Sequence, residues 1–178
     1  MFDAAATDGP PPPGSRGTRV SDRLQRSRVP VLPTVLFADA NEDYRSMARD
    51  ALLEGRDATD LRTAADATEV LAYLERAGAS EGPVTPAPSL IVIDADLPGT
   101  PGGNALIRAL KRNADTKRIP VVALGADHDP RTVEAAYEAG ANTYMVKPVT
   151  FLALVRLMKV FTAYWFETAE LPTGNQDA

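Results

Sequence analysis

The chain contains no cysteine, which excludes disulfides, thiolate metal sites and a cysteine nucleophile. Histidine is almost as scarce: His128 stands alone, between Asp127 and Asp129. One imidazole does not make a metal centre, and its place in a polar stretch predicts a solvent-facing side chain. Aromatic residues make up only 6%, so a core must be built mainly from aliphatic side chains. Positive charge is not in excess; the net charge of -5 argues against a nucleic-acid-binding domain, which needs a basic face. No apolar run is long enough to span a bilayer. Residues 1–13 carry neither a basic n-region nor an apolar h-region, so a secretory signal is not expected. A cytoplasmic protein without membrane attachment is the expectation.

What is present, 178 residues of which 44% are hydrophobic, suffices for one ordinary domain with some tail. Residues 1–33 differ from the rest. Pro10, Pro11, Pro12 and Pro13 form an unbroken run, and Arg16, Arg19, Arg23, Arg26 and Arg28 follow with few large apolar residues between them. Proline cannot continue a helix and favours extended backbone, so a disordered Pro/Arg-rich arm is expected. The folded domain is expected over 34–166 and a C-terminal tail over 167–178.

From residue 34 the pattern is regular. Strands are predicted at 35–38, 61–65, 90–93, 119–124 and 143–146. The runs at 90–93 and 119–124 show no apolar/polar alternation, as expected when both faces of a sheet are covered. Helices are predicted between them, with apolar faces at Tyr44, Met47, Ala48 and Ala51; at Ala67, Val70, Leu71 and Leu74; at Leu106, Ala109 and Leu110; and at Val133, Ala136 and Tyr137. Asp66 or Thr68 is expected to cap the second, and Gly140 to close the fourth. A last helix over 151–166 carries Phe151, Leu154, Val155, Met158, Phe161 and Trp165 at three- and four-residue spacing. Five alternating βα units predict an α/β fold, a parallel sheet with helices on both faces. Ligands of such sheets sit at the C-terminal strand ends. The residues there are Asp39, Asp94, Gly125 and Lys147.

The segment Leu90-Ile91-Val92-Ile93-Asp94-Ala95-Asp96-Leu97-Pro98-Gly99, with Tyr144-Met145-Val146-Lys147-Pro148, resembles the response-regulator receiver domains of two-component signalling. Ile119-Pro120-Val121-Val122-Ala123-Leu124 and Ala139-Gly140-Ala141-Asn142 add matches in the expected order. The resemblance implies a doubly wound, flavodoxin-like sheet with strand order 2-1-3-4-5. It implies Asp94 as phosphoacceptor, since a carboxylate can attack a phosphohistidine and form an acyl phosphate. Lys147 then pairs with Asp94 or its phosphoryl group, and Pro148 follows a cis peptide. Mg²⁺ is implied at Asp39, Asp94 and the backbone carbonyl of Asp96, because Mg²⁺ takes carboxylates, phosphate oxygens and water.

Two positions depart from the family. Receivers usually carry two adjacent acids after strand one, whereas this chain reads Ala38-Asp39-Ala40-Asn41. With Asp39 at the first position Ala40 takes the second; a slip by one residue leaves Ala38 at the first. Either way Mg²⁺ binding should weaken. After strand four the family expects Thr or Ser, and here stand Gly125 and Ala126. In the family that hydroxyl binds the phosphoryl oxygen and couples it to an aromatic on strand five, the place of Tyr144. A hydrogen bond to a charged group is worth roughly 1.5–3 kcal/mol, comparable to a conformational bias of a few kcal/mol. An atypical receiver is therefore expected, either phosphorylatable or acting as a phosphate-independent interaction module.

The ending Phe161-Thr162-Ala163-Tyr164-Trp165-Phe166, with the Gly/Pro-rich stretch at 78–88, resembles stand-alone receivers that partner phytochrome-type histidine kinases. The implied partners are a sensor histidine kinase and a second copy, through the last strand and helix. Output by protein contact is expected, not an enzymatic activity. Two other classes fit less well. The Asp94-Ala95-Asp96 triplet resembles haloacid-dehalogenase-type phosphatases, but Pro98 stands where they carry Thr or Val, and no later acidic pair follows Lys147. A nucleotide binder needs a Gly- or Ser/Thr-rich loop after strand one, and 39–43 is acidic.

Overall fold

The computed structural model describes residues 32–55, 59–79 and 84–172. The Pro/Arg-rich arm, apart from its last two residues, and the end of the C-terminal tail lie outside the described residues. Five strands form one sheet in the order β2-β1-β3-β4-β5. They are β1 (Thr34–Ala38), β2 (Asp60–Ala64), β3 (Leu90–Asp94), β4 (Val121–Gly125) and β5 (Thr143–Val146). Every pairing is parallel. The helices are α1 (Glu42–Gly55), α2 (Ala67–Ala77), α3 (Gly103–Arg112), α4 (Pro130–Ala139) and α5 (Phe151–Thr162). The expected α/β architecture and strand order are thus observed.

The central strands lack alternation because each face has its own helices. Successive strand side chains point to opposite faces. Leu36, Ile91, Ile93, Val121 and Ala123 pack with Val70, Leu106, Ile107 and Leu110 of α2 and α3. Val35, Phe37, Val92, Val122 and Leu124 pack with Ala48, Ala51, Leu154, Met158 and Phe161 of α1 and α5. Both layers end at the C-terminal edge of the sheet, so polar groups there are held on a rigid frame.

Helix phases differ from expectation in four helices. In α2 the buried residues are Ala67, Val70 and Tyr73, while Leu71 is exposed. Tyr73 is drawn inward because its hydroxyl donates to the Pro86 carbonyl at 2.8 Å, a contact from outside the helix. In α3, Ile107 rather than Ala109 completes the buried face, the larger side chain taking the space under the sheet. In α4, Tyr137 is exposed and Ala139 buried. The last helix changes character: residues Ala163–Thr168 form a π-helical segment. The wider turn still buries Trp165, and it brings Phe166 edge-on to Phe161 with centroids 6.2 Å apart. Phe151, expected on the core face, is exposed in the first turn of α5.

The caps follow the chemistry of their residues. Asp66 accepts from the Glu69 N–H at 2.9 Å, while Glu69 accepts from the Ala65 N–H at 2.7 Å, a reciprocal pair at the start of α2. Asp129 caps α4 through the Arg131 N–H at 2.8 Å, with Pro130 in the first turn. Gly140 closes α4 at φ 102°, a left-handed conformation that glycine adopts without strain.

Candidate functional site

Three charged side chains meet at the C-terminal edge of β1, β3 and β5. Asp94 is the last residue of β3, and Asp39 follows β1 directly. Lys147 follows β5, tied to the sheet by its N–H, which donates to the Gly125 carbonyl at 2.8 Å. Lys147 Nζ donates to Asp94 Oδ2 at 2.6 Å and lies 2.7 Å from Asp39 Oδ2. The second oxygen of each carboxylate is held by backbone: Asp94 Oδ1 accepts from the Asp96 N–H at 3.0 Å, and Asp39 Oδ1 from the Asn41 N–H at 2.9 Å. Both acids are buried. Two carboxylates against one ammonium leave the pocket one negative charge in excess.

Residues of α1 complete the setting. Lys147 Nζ stands 5.1 Å from the Tyr44 ring centroid, over a ring that stacks on Phe37. Arg45 Nη1 donates to the Asp39 carbonyl at 2.6 Å. Burial alone would lower the Lys147 ammonium, but its hydrogen bonds to Asp39 and Asp94 outweigh it and raise its pKa. Burial, reinforced by the charges of Asp39 and Asp94, pushes the Tyr44 phenol up to about 12. Sequence reasoning read Tyr44 only as part of a core face. The available signal was its place in the first turn of a helix entered straight from Asp39.

Asp96 is exposed in the turn after β3, and Ala40 is exposed beside Asp39. Among the described residues no group of three His, Cys, Asp or Glu side chains gathers as a metal site. The carboxylates that meet at the crevice are those of Asp39 and Asp94. These are hard oxygens of the kind Mg²⁺ takes, and the uncompensated negative charge favours a cation. His128 is exposed, as expected.

On the β4 side of the crevice, Gly125 ends its strand and Ala126 is exposed. A side-chain carbon on residue 125 would land on the hydroxyl and Cζ of Tyr144, whose ring lies over the glycine. Tyr144 Oη donates to the Asp127 carbonyl at 2.9 Å. Burial, then Asp127 and Asp96, raise the Tyr144 phenol above its ordinary value. Pro148 is half-buried after Lys147, but the expected cis peptide is not there: among the described residues the cis bond precedes Pro101. An X–Pro bond holds either isomer at small cost, so the position of a proline does not select one.

Comparison with known proteins identifies the family. The response regulator receiver domain family matches residues 35–159. Response regulator Rcp1 of Synechocystis sp. is 32% identical over 140 residues, covering 79% of this chain and 92% of Rcp1. The crystal structure of its Mn²⁺-bound form superposes with a TM-score of 0.67 at 27% identity, covering 79% of this chain and 99% of that one. The phosphorylated cyanobacterial phytochrome response regulator RcpA gives 0.70 at 26% identity, covering 80% of this chain and 100% of the other. No helix among the described residues is long and apolar enough to cross a membrane. With the family matched along most of its length, the fold in the same strand order and phytochrome response regulators among its relatives, the chain belongs to the response-regulator receiver-domain family.

Proposed function

We propose that Asp94 accepts a phosphoryl group from a sensor histidine kinase and that the protein passes the signal on by protein contact. The observation that carries this reading is the grip of Lys147 on Asp94 at the edge of a rigid sheet. In the transfer, an Asp94 carboxylate oxygen attacks phosphorus and the N–P bond of the donor phosphohistidine breaks. The electron pair returns to the imidazole, which takes up a proton. Lys147 is placed to neutralise the added charge on Asp94. Asp39, Asp94 and the Asp96 carbonyl would hold Mg²⁺, weakly because Ala40 adds no carboxylate; when bound, the ion offsets phosphoryl charge.

The kinase is of the phytochrome type, a reading supported by the likeness to RcpA, itself described as a phytochrome response regulator. A second copy binds through β5 and the last helix, where Leu152 and Val160 of α5 and Tyr164 of the π-helical segment after it are exposed. Nucleic acid is not a partner, in keeping with the net charge of -5.

Intact-mass spectrometry after incubation with acetyl phosphate and Mg²⁺ tests the phosphoacceptor. One added phosphoryl group in the native chain, absent in Asp94→Asn, is expected. A folded native chain that gains no mass, and none from a phytochrome-type kinase, overturns it. The absence of a side-chain hydroxyl on Gly125 favours a second reading, an interaction module that needs no phosphate; that reading requires unchanged kinase binding by Asp94→Asn.

A further inference from the structure

Gly125 and Tyr144 share one space. The sheet register pairs Asp94 with Leu124, which puts Gly125 one step beyond, at the mouth of the crevice. The Gly125 carbonyl accepts from the N–H of Lys147, the residue whose amine grips Asp94. The volume in which a side chain of residue 125 would begin is taken by the Tyr144 hydroxyl and the end of its ring. A hydroxyl is therefore present at this wall, reaching it from β5 instead of β4. Glycine is the residue that leaves it room.

That hydroxyl is engaged with a neutral acceptor, the Asp127 carbonyl, at 2.9 Å. Asp127 lies in the loop between β4 and α4, two residues before Asp129, which caps α4. Hydrogen bonds to an ionised acceptor are roughly twice as strong as neutral ones. A dianionic phosphoryl group arriving at Asp94 would compete favourably for the donor.

We infer that the Tyr144 hydroxyl is the group that recognises a phosphoryl group on Asp94, leaving the Asp127 carbonyl and so releasing the loop 126–129. The inference rests on the reading of Asp94 as phosphoacceptor. It gives Gly125 a purpose: the side-chain hydroxyl missing from β4 is replaced by one from the neighbouring strand, and recognition and loop release fall to a single atom.

The test uses the full chain with beryllofluoride, a phosphoryl mimic, and Mg²⁺, followed by fluorine NMR titration and by hydrogen exchange over 126–129. In the native chain, binding is expected to speed exchange of the loop. Tyr144→Phe keeps the ring and removes only the hydroxyl; beryllofluoride binding is expected to weaken by about tenfold or more. Its loop should exchange fast in both states. Tyr144→Ala should bind as poorly as Tyr144→Phe, and Tyr144→Ala with Gly125→Thr should recover most of the loss, since the ring no longer fills the space and a hydroxyl is restored from β4. A merely structural role for Tyr144 would not be rescued in this way. Equal binding by Tyr144→Phe and the native chain, or no recovery in the double variant, overturns the inference and leaves the phosphoacceptor standing. A native chain that binds no beryllofluoride overturns the phosphoacceptor reading and the inference with it.

Discussion

The two walls of the crevice are built on different principles. On the side of β1 and β3, charge is matched to charge: Lys147 lies within 2.7 Å of one oxygen of Asp39 and of Asp94, and backbone N–H groups hold the other two oxygens. On the side of β4, one neutral tyrosine lies over a glycine, with one hydrogen bond to a loop. The first wall is over-determined and the second has a single tether. Charge pairing in a buried place fixes one arrangement, whereas one neutral bond is easily exchanged for a stronger one. The contrast places rigidity where the phosphoryl group would be attached and freedom where its arrival would be read.

Lys147→Ala should break the first wall. It leaves two like charges buried side by side without their cation, and removing one partner of a buried pair costs roughly 3–5 kcal/mol. Lys147 is partly exposed, so a loss of about 3 kcal/mol is expected, read as a lower urea midpoint with an unchanged slope. A loss below about 0.5 kcal/mol would mean that solvent already screens the pair.

The same wall should fail with alkali. The Lys147 and Tyr44 pKa values are both raised by folding. Below pH of about 10 both groups are protonated whether folded or not, and their contribution is whole. Above that, the unfolded chain releases its protons first, so stability falls as pH rises, until Tyr44 ionises in the folded chain near 12. Urea midpoints measured from pH 8 upward should drop in this window, and Tyr44→Phe should flatten part of the drop. A parallel decline in Tyr44→Phe would remove the phenol from the account.

The unequal walls also explain what could be read from the sequence. The sheet was legible because runs such as 90–93 and 119–124 are apolar without alternation and short enough for strands, as a sheet covered on both faces requires. Asp39, Asp94 and Lys147 were legible because each directly follows a predicted strand. Tyr44, Arg45 and the Asp127 carbonyl were not, since their contacts join elements that are distant in sequence or use backbone atoms. Gly125 reads in isolation as a lost hydroxyl; only the β4–β5 pairing shows another hydroxyl at its place. Tyr73 falls outside the predicted apolar face of α2 for a similar reason, because its inward pull comes from Pro86.

Gly125→Ala should sharpen the second wall. The added carbon cannot coexist with the Tyr144 ring as placed, so the ring must swing out and give up Asp127. Overpacking of this kind typically costs about 1–3 kcal/mol, less where a side chain can move aside. A loss of about 1 kcal/mol, with faster hydrogen exchange through 126–129, is expected. Slow exchange in the variant would show that the Asp127 bond does not tether the loop.

The smallest effect belongs to Asp96→Ala. Its side chain is exposed, and the atoms that matter at the crevice are main-chain: the N–H that donates to Asp94 and the carbonyl proposed for Mg²⁺. Both survive the substitution, so stability should change by less than about 0.5 kcal/mol, as at ordinary surface positions. Mg²⁺ binding, followed by calorimetry, should move far less than in Asp39→Asn, which replaces a buried carboxylate of the charged wall. Equal losses in the two variants would mean that the Asp96 carboxylate itself holds the ion. The acidic wall would then extend across the turn toward Tyr144, and the division between a charged wall and a neutral one would be lost.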